Sequence, residues 1–303
     1  MRPSSVMFLT LLGAGIAVAQ QPASAPAQQP ASAVAQQQSH PPIYRVTVVS
    51  RTTKAVNYGH ITEPTKIGLK GTVLFPELQG EARVRSTRGA MEISVKVNHL
   101  GPPTRFGPQY LTYVLWAITP DGRPVNLGEL VADPNDKAQL KVSTPLQAFA
   151  LIVTAEPYFA VLQPSDVVVM ENVVEPRTAG KVEQVDAKYE LLPRAPYTYD
   201  ATPPAAGAEG PRVSMNQYEA MVAVYQAQNA IQIAKAAGAD RYAPDTLQRA
   251  EQLYQDALSL QAKKAGSKDV VTNAREAAQA AEDARIVTAK RQEAAPRTAV
   301  QPK

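Results

Sequence analysis

Hydrophobic and polar residues alternate in short runs between residues 43 and 200, and Gly, Pro, Asp or Asn separates one run from the next. Residues 91–97 alternate strictly, which predicts a strand with one face toward the core and one toward water. Residues 110–118 and 149–153 are apolar on both faces, which predicts central strands covered on each side. Regularly spaced strands with turns between them, and no helical stretch, favour an Ig-like antiparallel β-sandwich.

Ten segments fit this pattern. They are residues 44–49, 66–70, 82–87, 91–97, 110–119, 125–131, 138–143, 148–155, 167–171 and 182–191. The sequence Thr-Pro-Asp-Gly-Arg at 119–123 predicts a tight hairpin after the fifth segment, because Gly122 can adopt a positive φ. Asp133-Pro-Asn-Asp136 predicts a turn after the sixth.

The pattern changes beyond residue 200. Residues 201–211 are small and rich in Pro and Gly, as in an interdomain linker, and hold no apolar residue larger than Ala and Pro, so we expect few contacts between the regions they join. Residues 212–293 are rich in Ala and predict three helices in an antiparallel bundle. The helix boundaries are indicated by Ser214 with Gln217 as a capping box, and by Gly238, Pro244, Gly266, Ser267 and Pro296. The expected fold class is therefore α+β in separate domains, a sandwich at 43–200 and helices at 212–293.

The first predicted helix carries a broad apolar face formed by Tyr218, Val222 and Tyr225. The third helix offers almost only alanine to its neighbours, so the bundle buries little area and is expected to be only modestly stable alone. A protein partner, or self-association through the helices, would cover the Tyr218 face. Tyr158 and Phe159 directly follow a buried strand and are candidates for the same kind of partner surface.

The N-terminus has the organisation of a secretory signal peptide at residues 1–19. Arg2 precedes an apolar run at 6–18, and Ala17-Val18-Ala19 is a suitable cleavage site. The chain contains no cysteine, so we expect a periplasmic or secreted protein that is not a lipoprotein and has no integral membrane segment after cleavage near Ala19. Residues 20–42, rich in Gln, Pro and Ala, predict a disordered linker.

Charge argues against nucleic acid as a partner. The formal net charge is +4, and most of the excess lies at the C-terminus, in Lys290, Arg291, Arg297 and Lys303 against Glu293. Neither predicted folded region has the surplus of Lys and Arg that neutralises phosphates. Residues 294–303 are read as a basic disordered tail.

No catalytic pattern emerges from the residue types. His60 and His99 are the histidines of the predicted folded regions; they lack the spacing of a metal pair, and neither adjoins a GxSxG serine. We therefore expect a protein that is not an enzyme and holds no cofactor or metal. Trp116 lies on a strand that is apolar on both faces, which favours a core position over a platform for stacking a sugar.

Two resemblances add to this interpretation. Residues 113–129, YVLWAITPDGRPVNLGE, resemble the extracytoplasmic sandwich of anti-sigma-K factor proteins, although the transmembrane helix and sigma-binding region of that family are missing here. Residues 227–290, centred on AAGADRYAPDTLQRA, are similar to an Ala-rich helical domain of unknown function found in bacterial envelope lipoproteins. A peptidoglycan-binding domain often follows these helices in that family, and we expect none after residue 303 here.

Together these observations predict a non-catalytic exported envelope protein that acts as a protein-interaction or scaffolding module. The alternative is a carbohydrate- or peptidoglycan-binding module. Exposed aromatic side chains beside polar groups in a groove would favour the alternative.

Overall fold

A computed structural model describes residues 48–176, 178–190 and 214–294. Four predicted segments lie outside the described residues. They are the signal peptide, the linkers at 20–42 and 201–211, and residues 295–303 of the tail.

The first described region is built of ten strands. They are β1 (Val48–Asn57), β2 (Thr65–Gly71), β3 (Gln79–Thr87), β4 (Ala90–Asn98), β5 (Thr112–Ile118), β6 (Pro124–Leu130), β7 (Lys137–Thr144), β8 (Ala148–Glu156), β9 (Val168–Val173) and β10 (Lys181–Glu190). All paired neighbours run antiparallel, which confirms the predicted strand direction.

The strands form one sheet that bends until it is nearly closed. The order is β10-β1-β8-β9-β2-β3-β4-β7, and β5 joins β8 to β6. The free edge of β6 approaches β7, since Ala132 bridges to Ala138 and the Asp133 N–H donates to the Lys137 carbonyl at 2.7 Å. Gly128 permits this approach, because its backbone has φ 134° and a Cβ there would touch Leu140.

Nine of the ten predicted strands match the observed ones closely, whereas the first is displaced. The prediction placed it at 44–49, but β1 runs from Val48 to Asn57 and pairs with β10 along all ten residues. Residues 50–54, Ser-Arg-Thr-Thr-Lys, lack large apolar side chains and give no hydrophobic signal. Pairing with a distant strand, rather than local pattern, makes this segment extended.

Strands β5 and β8 are buried on both faces, as their apolar sequences predict. Tyr113, Leu115, Leu151 and Val153 point into the interior of the curved sheet, where they pack with Ile67, Leu69, Ile93 and Val95. The alternate residues, Val114, Trp116, Ile118, Ala150 and Ile152, belong to a second buried cluster that also contains Tyr158, Val161 and the alanines of the helices. The helical region thus shares a core with the outer face of these strands.

The helical region contains α1 (Met215–Ala236), α2 (Ala239–Tyr242), α3 (Pro244–Ala262) and α4 (Ser267–Ala294). The capping box is confirmed, with the Gln217 N–H donating to Ser214 Oγ and the Ser214 N–H donating to Gln217 Oε1. Gly238 follows α1 at φ 94°, and Pro244 opens α3, both as predicted. The short α2 was not predicted, because four residues are too few to produce a periodic pattern. None of the described helices is both long and apolar enough to cross a membrane.

Helix α1 packs through a face other than the Tyr218 face. Helix α4 lies between α1 and α3, and the side chains that α1 buries in the shared cluster include the small residues Ala223, Ala227 and Ala230. Tyr218 and Tyr225 instead remain 52% and 42% exposed. The packed face of α1 is rich in alanine because small side chains on both α1 and α4 allow the two helices to approach closely. The predicted Ala seam of α4 is confirmed by the burial of Ala274, Ala277, Ala281 and Ala284.

The expectation of few contacts between the two regions is wrong. Strands and helices lie in one compact unit, and the shared buried cluster runs from Trp116 to the alanines of α1, α3 and α4. The composition of residues 201–211 indicates only that the connecting segment itself has little apolar surface to bury. It does not indicate whether strands and helices distant from that segment in sequence pack against each other.

Candidate functional site

The five residues proposed from sequence as a partner surface occupy different environments. Tyr158 is fully buried, and Phe159 is half-buried beneath the guanidinium of Arg275, which lies 3.7 Å from the ring centroid. Tyr218 and Tyr225 are exposed on α1, and Val222 is half-buried between them. The structure therefore places Tyr158 and Phe159 in the junction between strands and helices, whereas the other three residues lie along one side of α1.

Tyr218 and Val222 line a groove of about 570 Å³ between the helices and the strands. One wall consists of residues 100–103 and 130–134, which follow β4 and β6, and the other consists of the first three turns of α1. Val131, Met215 and Tyr218 lie in its lining and are 53%, 39% and 52% exposed. Tyr225 is not among the described lining residues. The groove is thus apolar at its rim and composite, since it exists only where both regions meet.

Glu129 lies in the lining of this groove and connects three elements. Its Oε1 accepts hydrogen bonds from Thr112 Oγ1 at 2.7 Å and from Gln226 Nε2 at 2.8 Å. Its Oε2 pairs with Arg275 Nη1 at 2.6 Å. The carboxylate is only 9% exposed, so these partners replace water around a nearly buried charge. Both oxygens are occupied, and the group holds α1 and α4 against β5 and β6.

Two amides of α1 extend this polar contact. The Gln226 Oε1 accepts the Phe159 N–H at 2.9 Å, and the Asn229 Nδ2 donates to the carbonyls of Gln109 and Pro157 at 3.1 Å each. Both side chains are buried. They satisfy backbone groups of two irregular segments, at Gln109 before β5 and at Pro157 and Phe159 after β8.

A buried ion pair anchors α4 to the same segment. Glu282 and Arg285 form two hydrogen bonds of 2.8 Å, and Glu282 also accepts Tyr158 Oη at 2.6 Å and the Leu162 N–H at 3.0 Å. Burial by itself would lower the pKa of Arg285, but the hydrogen bonds and charge of Glu282 outweigh it and raise that pKa. Four donors around the Glu282 carboxylate specify the geometry of the cluster.

A second buried polar chain lies on β5 and β8. Trp116 Nε1 donates to Thr154 Oγ1 at 2.8 Å, and Thr154 Oγ1 donates to Glu156 Oε1 at 2.5 Å. The Ser165 N–H also donates to Glu156 Oε1, whereas the buried Glu156 Oε2 has no hydrogen-bond partner among the described residues. Burial raises the pKa of Glu156 to about 8, despite the opposing hydrogen bonds from Thr154 and Ser165. Burial therefore favours the protonated, neutral form of Glu156.

The two histidines lie apart from this network. His99 follows β4 at φ 63°, and His60 is exposed in the loop after β1. Within the described residues, no group of three or more His, Asp and Glu converges in the manner of a metal site.

Sequence reasoning missed the polar residues that organise the site, namely Glu129, Gln226, Asn229, Arg275, Glu282 and Arg285. A signal was present for some of them. Gln226 and Asn229 interrupt the Ala face of α1 three residues apart, and Glu282 and Arg285 do the same in α4. Buried positions with polar side chains indicate specific partners, but a helix pattern does not identify those partners.

Comparison of the chain with models of known protein families finds no match, and no curated protein matches it significantly.

Proposed function

We propose that the chain is a non-catalytic exported envelope protein that binds a protein partner in the groove beside Tyr218 and Val222. The observation that carries the proposal is the exposure of Val131, Met215 and Tyr218 around one composite groove. Contiguous exposed apolar surface on a soluble protein costs free energy in water and is typical of interaction sites.

We also propose that the protein is exported and that its two regions are an Ig-like sandwich and a three-helix bundle. Export follows from the signal-peptide pattern of residues 1–19, and the nearly closed sheet is read as an Ig-like sandwich. Helices α1, α3 and α4 are read as a three-helix bundle. Its thin alanine seam is supplemented by the contacts of α1 and α4 with the strands.

Burial of the aromatic residues bears on the sugar-binding alternative. Trp116, Tyr113, Phe149 and Tyr158 are each at most 2% exposed, so none of them offers a face for stacking a sugar ring. Tyr218 and Tyr225 are the aromatic side chains of α1 that reach solvent, and Tyr218 shares the groove lining with apolar side chains and with four carboxylates.

Photocrosslinking in cells tests the proposal. A benzophenone amino acid placed at Met215 or Tyr218 should form a discrete adduct, and the exposed position Gln255 on α3 serves as the matched control. Val131→Ser on the opposite wall should reduce the adduct formed from Met215, because it removes apolar surface from the same groove. Equal adducts at all three positions, or an adduct that is indifferent to Val131→Ser, would contradict the proposal.

A further inference from the structure

The walls of the groove carry an asymmetric set of charges. Its lining contains four carboxylates, Glu129, Asp133, Asp136 and Glu219, and a single cationic side chain, Arg275. Arg275 is committed to Glu129 at 2.6 Å and lies over the Phe159 ring. Three carboxylates therefore remain without a cationic partner from the lining itself.

These three carboxylates stand on both sides of the apolar rim. Asp133 and Asp136 belong to the turn between β6 and β7, and Glu219 lies on the second turn of α1. The Asp133 Oδ1 accepts the backbone N–H groups of Asn135 and Lys137, at 2.8 and 3.0 Å, and these bonds lower the pKa of Asp133. The β6–β7 turn therefore holds the negative charge of Asp133 in a fixed position on the groove wall opposite α1.

We propose that the groove binds a cationic apolar segment of a partner protein, in which a large apolar side chain is flanked by Lys or Arg. This inference rests on the proposed function and specifies the chemistry of the partner. The apolar side chain packs against Val131, Met215 and Val222, and the flanking cations meet Asp136 on one wall and Glu219 on the other. Lys and Arg suit this position because their aliphatic stems cover apolar surface while the charge stays at the edge.

Tyr218 adds a second reason to expect a cation. Its ring is half exposed at the rim, close in sequence to Glu219. A guanidinium or ammonium group can lie over an exposed tyrosine ring and still reach a neighbouring carboxylate. Arg275 already makes this type of contact with Phe159 in the same junction.

The groove is composite, so the segment would also bridge strands and helices. It contacts the β6–β7 turn and α1 at once, which are otherwise joined through Glu129 and Gln226. A ligand that binds only the docked arrangement stabilises that arrangement by mass action. Saturating peptide should therefore raise the melting temperature of the protein.

Fluorescence anisotropy with the full chain tests the inference. The probe is a short labelled peptide of Leu, Phe and Lys; one comparison peptide has Glu in place of Lys, and another has Ser in place of Leu and Phe. The first peptide should bind at least about tenfold more tightly than either comparison, and its affinity should fall as salt is added.

Paired variants locate the charges. Asp136→Asn with Glu219→Gln should weaken binding of the cationic peptide about tenfold, and asparagine suits the φ of 56° at position 136. The control Glu77→Gln with Asp240→Asn removes two exposed carboxylates outside the groove lining and should leave the affinity unchanged. Unchanged melting temperatures verify that both variants fold.

The outcomes separate this inference from the proposed function. If Val131→Ser weakens binding but the charge variants do not, the groove binds a partner and the cationic specificity is wrong. If the Glu-containing peptide binds as well as the Lys-containing one, the specificity is also wrong. Binding of N-acetylglucosamine oligomers without any peptide binding would overturn both and favour the sugar-binding alternative.

Discussion

Glu156 is a carboxyl group whose burial couples folding to pH. It ends the hydrogen-bonded chain Trp116–Thr154–Glu156, and one of its oxygens has no hydrogen-bond partner within the part of the chain that the structure describes. Burial raises its pKa from 4.5 to about 8. Between these two values the unfolded chain loses the proton and the folded chain keeps it. The contribution of this group to stability is therefore full below pH 4.5 and is lost as the pH rises toward 8.

Replacing Glu156 with Gln should remove this pH dependence. Glutamine keeps an acceptor for Thr154 and the Ser165 N–H but has no proton to lose. In denaturant titrations the parent should lose up to about 1.4 kcal/mol of unfolding free energy per pH unit in that range, and the variant should lose markedly less. Glu77→Gln, at an exposed position, is the control and should retain the slope of the parent. Parallel slopes for the parent and Glu156→Gln would contradict the raised pKa.

Trp116 is a core residue, as its strand pattern predicted, and it is completely buried. Trp116→Ala should lower the free energy of unfolding by about 3–5 kcal/mol, because it leaves a cavity in the cluster shared by strands and helices. Chemical denaturation followed by far-UV circular dichroism measures this loss. An unchanged stability together with lost sugar binding would instead restore the role of a sugar platform for Trp116.

Helix α4 is held by a buried ion pair as well as by its alanine seam. A helix that presents small side chains buries little area, so directional contacts decide where it docks. Glu282 supplies them by accepting hydrogen bonds from Tyr158, Leu162 and Arg285.

A double-mutant cycle on Tyr158 and Glu282 measures this contact. Glu282→Gln should destabilise the protein by about 3–5 kcal/mol, because it leaves Arg285 buried without its counter-charge. Tyr158→Phe should cost about 1.5–3 kcal/mol, and the two changes together should cost less than their sum. The exposed Tyr218→Phe is the matched control and should change stability by less than about 0.5 kcal/mol. Strict additivity of the Tyr158 and Glu282 variants would mean that the hydrogen bond between them contributes nothing.

Strands and helices should unfold together, because the same buried cluster runs through both. The chain provides two probes: its single tryptophan, Trp116, reports the buried cluster that strands and helices share, and helix circular dichroism reports α1, α3 and α4. We expect coincident midpoints for the two signals in denaturant. Loss of helix signal before any change in Trp116 fluorescence would show that the helices unfold separately.

Local sequence pattern was sufficient for most elements but not for their assembly. Strand alternation, the Ser214 capping box, Gly238 and Pro244 are short-range signals, and each was found where predicted. The extended run 50–54 and the short α2 were missed because neither has a periodic pattern. The sequence did not identify the alanine face through which α1 packs, because an apolar residue on a helix fits either a packed face or an exposed surface.

The sequence by itself determined that β5 and β8 must be covered on both faces, since a strand that is apolar on each side is unstable in water. It also determined that α4 presents alanine. Only the tertiary structure decided that the helices pack on one face of those strands. It also decided that Glu129, Gln226 and Glu282 form the hydrogen bonds between the strands and the helices. The physical reason is separation along the sequence. The tendency of a residue to be buried depends on its own side chain, whereas the hydrogen bond between Tyr158 and Glu282 forms only where two distant segments meet.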